Sequence, residues 1–180
     1  MYPFVRLLKV MLVHRKPDGA GFLDTHVSHH ICWPWDLDPW RELNNGRTLT
    51  LYDLGRVPMA NRMGLSGAMR QRRWGMAVAG ASVRYRKRVT VFQRIEMRTH
   101  VVGWDDKFIY IEQSMWRGDT CTSHILLRTA VTGKRGIVPP GEVVDVIAEV
   151  TGRDIVQPDL PDWVQGWIDA DHTRPWPPQM

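Results

Sequence analysis

Four long segments with the composition of β-strands follow one another in the second half of the sequence. They are rich in Val, Ile, Thr and aromatic residues, and they span residues 76–92, 95–102, 107–116 and 120–132. Turn sequences containing Gly and Asp separate the last three of them. Because no helical segment lies between these strands, the sequence predicts that they run antiparallel.

A helical pattern precedes the strands, over residues 47–64. Apolar side chains cover most of its circumference, so the helix is predicted to be largely buried. Asn44 or Asn45 is the expected N-cap, Pro58 predicts a kink or break, and Gly64 is expected just past the helix end. One buried helix followed by antiparallel strands predicts an α+β fold, in which a curved antiparallel sheet wraps around a long central helix.

The remaining segments are assigned around this core. With 180 residues, the chain has the length of one ordinary domain. A strand is expected over residues 26–31 and a basic linker over 69–73. The predicted units are an N-terminal amphipathic helix (1–16), the helix-and-sheet domain (25–135), a C-terminal helix (136–152, helical over 142–150) and an irregular tail rich in Trp and Pro (153–180).

Residues 4–13 carry an apolar stripe at helical spacing, with Arg6 and Lys9 on the other side. This helix either packs on its own domain or a second subunit, or makes a weak membrane contact through a basic amphipathic face. Arg6 and Lys9 also interrupt the stretch before it resembles a secretory signal. Two cysteines, Cys32 and Cys121, favour a reducing compartment, so a cytoplasmic location is expected.

Two carboxylates stand directly before the predicted central helix. Asp36 and Asp38 precede Asn44 and Asn45, where a helix N-terminus offers free amide groups and partial positive charge for an oxyanion. A base beside an oxyanion site is the minimum requirement for acyl transfer to water. The alternative is that both aspartates are ordinary capping and turn residues.

The stretch WDLDPWRELNNGRTLTLYDLGR (35–56) resembles the signature of the hotdog-fold acyl-CoA thioesterases of the 4-hydroxybenzoyl-CoA thioesterase-like group. GWDDKFIYIEQ (103–113) is similar to a stretch of thioesterase superfamily member 6-like proteins. The resemblance covers roughly residues 25–135. The matching signature positions are Asp36, Asp38, Leu43, Asn44, Asn45, Asp53 and Arg56.

The resemblance implies a hotdog fold and hydrolysis of an acyl-CoA thioester. Asp38 would be the nucleophile or general base, Asn44 and Asn45 would order the turn that aims it, and helix amides would polarise the carbonyl. Asp53 is the second choice for the catalytic carboxylate. Glu42 stands where the pattern has His, so it would either form an acid–base pair with Asp38 or mark a non-catalytic module that binds acyl groups or lipid.

Arg84, Arg86 and Arg88 are expected to project from one face of a strand. They would bind the phosphates of coenzyme A, bind nucleic acid, or form a solvated face; the resemblance favours coenzyme A and no nucleic-acid partner. It also implies a homodimer or higher homo-oligomer. No cofactor is expected apart from the coenzyme A of the substrate. His26 and His30 share a strand face, but no metal site is expected because further ligands are missing.

Overall fold

The computed structural model describes residues 2–13 and 19–178, and a six-stranded antiparallel sheet lies at its centre. The strands are β1 (His26–Ile31), β2 (Gly75–Tyr85), β3 (Arg94–Trp104), β4 (Ile109–Arg117), β5 (Thr120–Gly133) and β6 (Gly136–Val138). Their order is β1-β3-β4-β5-β2, and β6 pairs with the end of β5. The predicted antiparallel hairpins are therefore confirmed.

Five helices accompany the sheet among the described residues. They are α1 (Phe4–Val13), α2 (Asn45–Arg62), α3 (Leu65–Arg72), α4 (Pro140–Thr151) and α5 (Asp162–His172). The side chains of α2 and α4 join the inner sides of β3, β4 and β5 in the main hydrophobic core. A curved sheet around a long buried helix is the hotdog fold, as the resemblance implied.

The central helix lies very close to the sheet. A Cβ atom at Gly55 would lie 2.7 Å from both Sδ of Met97 and Oγ1 of Thr99, so only glycine permits this approach. The helix continues through the buried Pro58 to Arg62, which makes the predicted break there wrong. Proline removes a single N–H donor, and burial of this segment of α2 offsets that loss. Gly64 ends α2 with a φ of 81°, as expected.

Three segments differ from their predictions. Most of the segment predicted as a basic linker (69–73) belongs to α3, because burial of Leu65 and Ala68 holds this helix against the core. The strand predicted over 76–92 ends at Tyr85. The tail contains α5, whose Val164 and Ile168 pack against Val102, Tyr110 and Leu126 on the opposite face of the sheet from α2.

Residues 2–11 are held by polar contacts at three points, one on the loop before α2 and two on α2 itself. Arg6 pairs with Asp36, the hydroxyl of Tyr2 donates to Asp53 at 2.9 Å, and Asn61 contacts Met11. Residue 1 and residues 14–16 of the predicted N-terminal unit lie outside the described residues. Within the described ranges, none of the helices has the length and apolar character needed to cross a bilayer.

Candidate active site at the start of the central helix

Asp36 is a fully buried carboxylate at the end of a short 3₁₀ turn (Pro34–Asp36). Its Oδ2 atom accepts hydrogen bonds from Arg6 at 2.6 Å and from the amide of Trp33 at 2.9 Å. Its Oδ1 atom accepts from Nε of Arg47 at 2.7 Å. Because two guanidinium groups and an amide occupy both oxygens, Asp36 is an ionic anchor for the loop and is poorly suited to act as a base.

Asp38 is only half-buried and makes a different set of contacts. Its Oδ1 atom accepts hydrogen bonds from the amides of Trp40 at 2.9 Å and Glu42 at 3.3 Å. The backbone of Asp38 also bonds to Glu42 and Arg41, which closes a tight loop. Among the described residues, Oδ2 has no hydrogen-bond partner. One oxygen of this carboxylate is therefore fixed and the other is available.

The loop leads directly into the N-terminus of α2. Asn44 is the N-cap, since its Oδ1 accepts the amide of Arg47 at 3.0 Å, and its own amide donates to the carbonyl of Asp36. Asn45 is the first helical residue, and its carbonyl accepts the hydroxyl of Tyr85. The amides of Asn45 and Gly46 lie in the first turn, where no helical carbonyl precedes them. These donors and the helix dipole favour negative charge there.

A cavity of about 210 Å³ opens between this helix end and the sheet. Glu42, Asn45, Arg86 and Arg88 line it, so four of the candidates predicted from sequence meet at one place. Asp38 and Asn44 are not among the lining residues, and Asp38 is linked to the cavity through the amide of Glu42. Glu42 does not turn towards Asp38: its carboxylate lies 2.9 Å from Nε of Arg88. The cavity therefore has a basic rim that is partly neutralised by one acid.

The prediction that Arg84, Arg86 and Arg88 share one strand face is wrong. The strand ends at Tyr85, because the amides of Arg86 and Lys87 both donate to the same carbonyl, that of Thr122. This breaks the alternation of side chains, so Arg86, Lys87 and Arg88 all line the cavity. Arg84 remains on the strand, is exposed, and is not among the lining residues.

The inner wall of the cavity is uncharged. Thr48, Met115 and Ser123 line it, and Ser123 is hydrogen-bonded at 2.8 Å to the hydroxyl of Tyr52. Burial raises the pKa of Tyr52 well above its ordinary value, so this hydroxyl stays neutral at physiological pH. The cavity thus passes from a basic mouth to a neutral interior.

Asp53 lies elsewhere, two turns further along α2. At 1.5 Å per residue, its backbone is roughly 12 Å from the start of the helix. Its carboxylate forms an ion pair with Arg56 and accepts a hydrogen bond from the hydroxyl of Tyr2. Burial is the main cause that raises the pKa of Tyr2 to about 12. Arg56 in turn donates to Gln113 on β4. This network joins the residue segment before α1 to α2 and the sheet, far along α2 from the loop that holds Asp38.

His26 and His30, two of the three histidines of β1, share one face as their spacing indicated, and that face is buried. Nε2 of His30 is 2.9 Å from Oγ of Ser28, and Nδ1 of His26 is 2.7 Å from Arg62. The described part of the chain contains no group of three or more His, Cys, Asp or Glu side chains placed to hold a metal ion.

Sequence reasoning missed the roles of Arg6 and Arg47 at Asp36. A local signal exists for Arg47 alone: it stands three residues after the N-cap, where its side chain reaches back over the preceding loop. No local signal exists for Arg6, which comes from α1, thirty positions away. The wall residues Thr48 and Ser123 also carry no recognisable motif.

Comparisons with known proteins agree with the fold and motif. The profile of the "Thioesterase-like superfamily" matches residues 32–168. Protein THEM6 of Xenopus laevis is 32% identical over 168 residues, which cover 92% of this chain and 78% of that protein. Protein THEM6 of Drosophila melanogaster is 31% identical over 150 residues, covering 82% of this chain and 74% of its own.

Solved structures show the same fold at low sequence identity. The probable thioesterase YbaW from Escherichia coli superposes with a TM-score of 0.64 at 12% identity, covering 70% of this chain and 98% of that chain. The DHNA-CoA thioesterase from Staphylococcus aureus has a TM-score of 0.59 at 10% identity, covering 73% of this chain and 97% of that chain.

Proposed function

Because the chain belongs to the thioesterase-like superfamily, we propose that it hydrolyses an acyl-CoA thioester to a free acid and coenzyme A at the start of α2. The observation that carries this proposal is the carboxylate of Asp38. Its Oδ1 is fixed by two amides while its Oδ2 is available. A positioned carboxylate with one available oxygen is what a general base or nucleophile requires.

In the general-base route, Asp38 takes a proton from water as the water oxygen bonds to the thioester carbonyl carbon. The amides of Asn45 and Gly46 stabilise the negative charge that develops on the carbonyl oxygen. Collapse of this intermediate breaks the C–S bond, and the proton passes to the departing thiolate. In the nucleophilic route, Asp38 itself bonds to the carbonyl carbon, the C–S bond breaks, and coenzyme A leaves as a thiolate that takes a proton from water. Water then cleaves the resulting anhydride, which releases the free acid and restores the Asp38 carboxylate.

The basic rim supports coenzyme A as the leaving group. Arg86, Lys87 and Arg88 line the mouth of the cavity, and guanidinium groups bind phosphates with well-defined geometry. The neutral wall formed by Thr48, Met115 and Ser123 suits the uncharged pantetheine arm and the thioester. Glu42 moderates the rim through Arg88.

We further propose that two copies form a homodimer through β2. This strand is the edge of the sheet beyond β5, is eleven residues long, and is mostly exposed. Long uncovered edge strands are rare in monomers, because their free N–H and C=O groups pair with another chain. Val78→Asp would place the negative charges of two copies near each other across the paired β2 strands. The mass of this variant, measured by light scattering, should therefore fall to that of a monomer. Val156→Asp, at an exposed valine outside the sheet, should not change the mass.

Thiol release from a panel of short, long and aromatic acyl-CoAs tests the activity. Asp38→Asn keeps an oxygen that accepts the two amides but loses the base, so we expect a folded protein with at least about a hundredfold lower kcat, in line with the loss of a general base. Asp24→Asn is the matched control, since Asp24 also accepts a backbone amide in a turn, that of Gly21. Full activity in Asp38→Asn would refute the assignment. Binding of acyl-CoA by the wild type without thiol release would favour a non-catalytic acyl-binding module.

A further inference from the structure

One charged residue, Arg6, lies on the inner side of the N-terminal helix together with apolar residues, while Lys9 is exposed. Arg6 is only 17% exposed because it reaches Asp36 beneath the helix, and Leu7 and Val10 pack partly against the core. The apolar stripe predicted from the sequence is consequently split. Phe4, Leu8 and Leu12 of this stripe are exposed, and with the neighbouring exposed Val5 and Val13 they form what we call the N-terminal apolar face.

The N-terminal apolar face continues into the loop before α2. A cavity of about 1050 Å³ lies between Phe4 and Val5 on one side and Trp33 and Trp35 on the other. The two indole rings are stacked, with centroids 5.3 Å apart, and Trp35 remains 65% exposed. Contiguous apolar surface of this kind usually marks an interaction site.

The charge of this region indicates what covers it. Residues 1–16 include Arg6, Lys9, Arg15 and Lys16 but no Asp or Glu. Two carboxylates are hydrogen-bonded to residues 2–13 in the described part of the chain: Asp36 is buried and compensated by Arg6 and Arg47, and Asp53 is paired with Arg56. Apolar side chains, an exposed tryptophan and the exposed cation Lys9 together match the boundary between the acyl chains and headgroups of an anionic bilayer.

We propose that the N-terminal apolar face binds the surface of an anionic lipid bilayer, with α1 lying in the plane of the interface. Val5 is 84% and Leu8 61% exposed, so both enter the apolar layer without any change in the core. Exposed Lys9 lies beside anionic headgroups. The ion pair between Arg6 and Asp36 keeps α1 fixed to the domain, so binding also fixes the orientation of the protein on the membrane.

Co-sedimentation with vesicles tests this proposal. Wild-type protein should pellet with vesicles of phosphatidylcholine and phosphatidylglycerol, less so with phosphatidylcholine alone, and less in high salt because the charges are screened. Leu8→Asp should reduce partitioning roughly tenfold or more, since it places a charge in the apolar layer. Lys9→Glu should weaken binding only to the vesicles with phosphatidylglycerol.

Val156→Asp is the matched control, because Val156 is 79% exposed and lies in the segment between α4 and α5. It should pellet like the wild type, and all variants should retain the wild-type Tm. Equal pelleting of Leu8→Asp and wild type would overturn the proposal. So would a change in oligomeric mass of Leu8→Asp without lipid, which would assign the face to a second copy. Thiol release from a short acyl-CoA should be unchanged in Leu8→Asp, so this test is independent of the proposed activity.

Discussion

Nε of Arg47 donates a 2.7 Å hydrogen bond to Oδ1 of Asp36, so the loop before the central helix is tied to the first turn of that helix. Arg6 holds the other oxygen of the same carboxylate at 2.6 Å. One buried side chain thus joins α1, the loop and α2. Asp38, two residues further on, bonds instead to the amides of its own turn.

Asp36→Asn should strongly destabilise the protein. The amide cannot neutralise Arg6 and Arg47, and removing one partner of a buried ion pair costs about 3–5 kcal/mol. Urea denaturation measures the free energy of unfolding directly. Glu149→Gln is the control: its partner Arg72 is 3.8 Å away and both side chains are exposed, so a change below about 1 kcal/mol is expected. Similar losses in the two variants would contradict an anchoring role for Asp36.

Gly55→Ala should lower the free energy of unfolding by about 1–3 kcal/mol, because its Cβ overlaps Met97 and Thr99 and forces α2 away from the sheet. Gly67→Ala in α3 should instead raise it by up to about 1 kcal/mol, since that Cβ meets nothing within 4 Å and alanine favours helix. Thermal denaturation of the two variants measures whether each substitution lowers or raises the stability of the protein. If both substitutions stabilised the protein, the packing of α2 would not depend on the close approach of Gly55 to the sheet.

The stability of the protein should fall in mild acid because of His30. Burial, assisted by the positive charges of Arg6, His29 and Lys9, lowers the pKa of His30 from 6.5 to about 4. As the pH falls below the unfolded value, the unfolded chain binds a proton while the folded one does not. Stability present above the unfolded pKa is therefore lost progressively towards the folded pKa.

Between about pH 7 and about pH 5 this amounts to about 2 kcal/mol. Urea denaturation at both pH values should show the loss, and His30→Gln should reduce it. His172→Gln, at the exposed end of α5, should leave the pH dependence as in the wild type. An identical slope in wild type and His30→Gln would contradict this explanation.

Simultaneous substitution of Arg86 and Arg88 by alanine should raise KM for an acyl-CoA, because both side chains line the cavity. The expected increase is only roughly fivefold to tenfold, since each exposed charge pair with a phosphate contributes little binding energy. Arg84→Ala should change KM little, since Arg84 lies outside the cavity. An acyl thioester of N-acetylcysteamine, which lacks the phosphates, should show no KM change in any of these variants. Equal effects on both substrates would assign the arginines a structural role instead.

Local patterns predicted the regular elements well. The helical period of apolar residues located α1 and α2. The alternation of residues and the turn sequences located β1 and the hairpins of β3, β4 and β5. The side-chain oxygen of Asn44 marked the start of α2. These features depend on neighbours within a few positions. The tail helix α5 was missed because its stability comes from Val164 and Ile168 packing on the sheet, a contact invisible in the local pattern.

The sequence by itself determined one buried helix followed by antiparallel strands, because periodicity and capping are properties of short segments, and the resemblance of residues 35–56 added the hotdog fold and the Asp-x-Asp motif. Only the tertiary structure decided that Asp36 is the buried anchor and Asp38 the carboxylate with an available oxygen. It also decided that the apolar stripe of α1 faces partly outwards. The physical reason is the same in both cases: Arg6, thirty positions from Asp36, satisfies a charge that no local neighbour could satisfy alone.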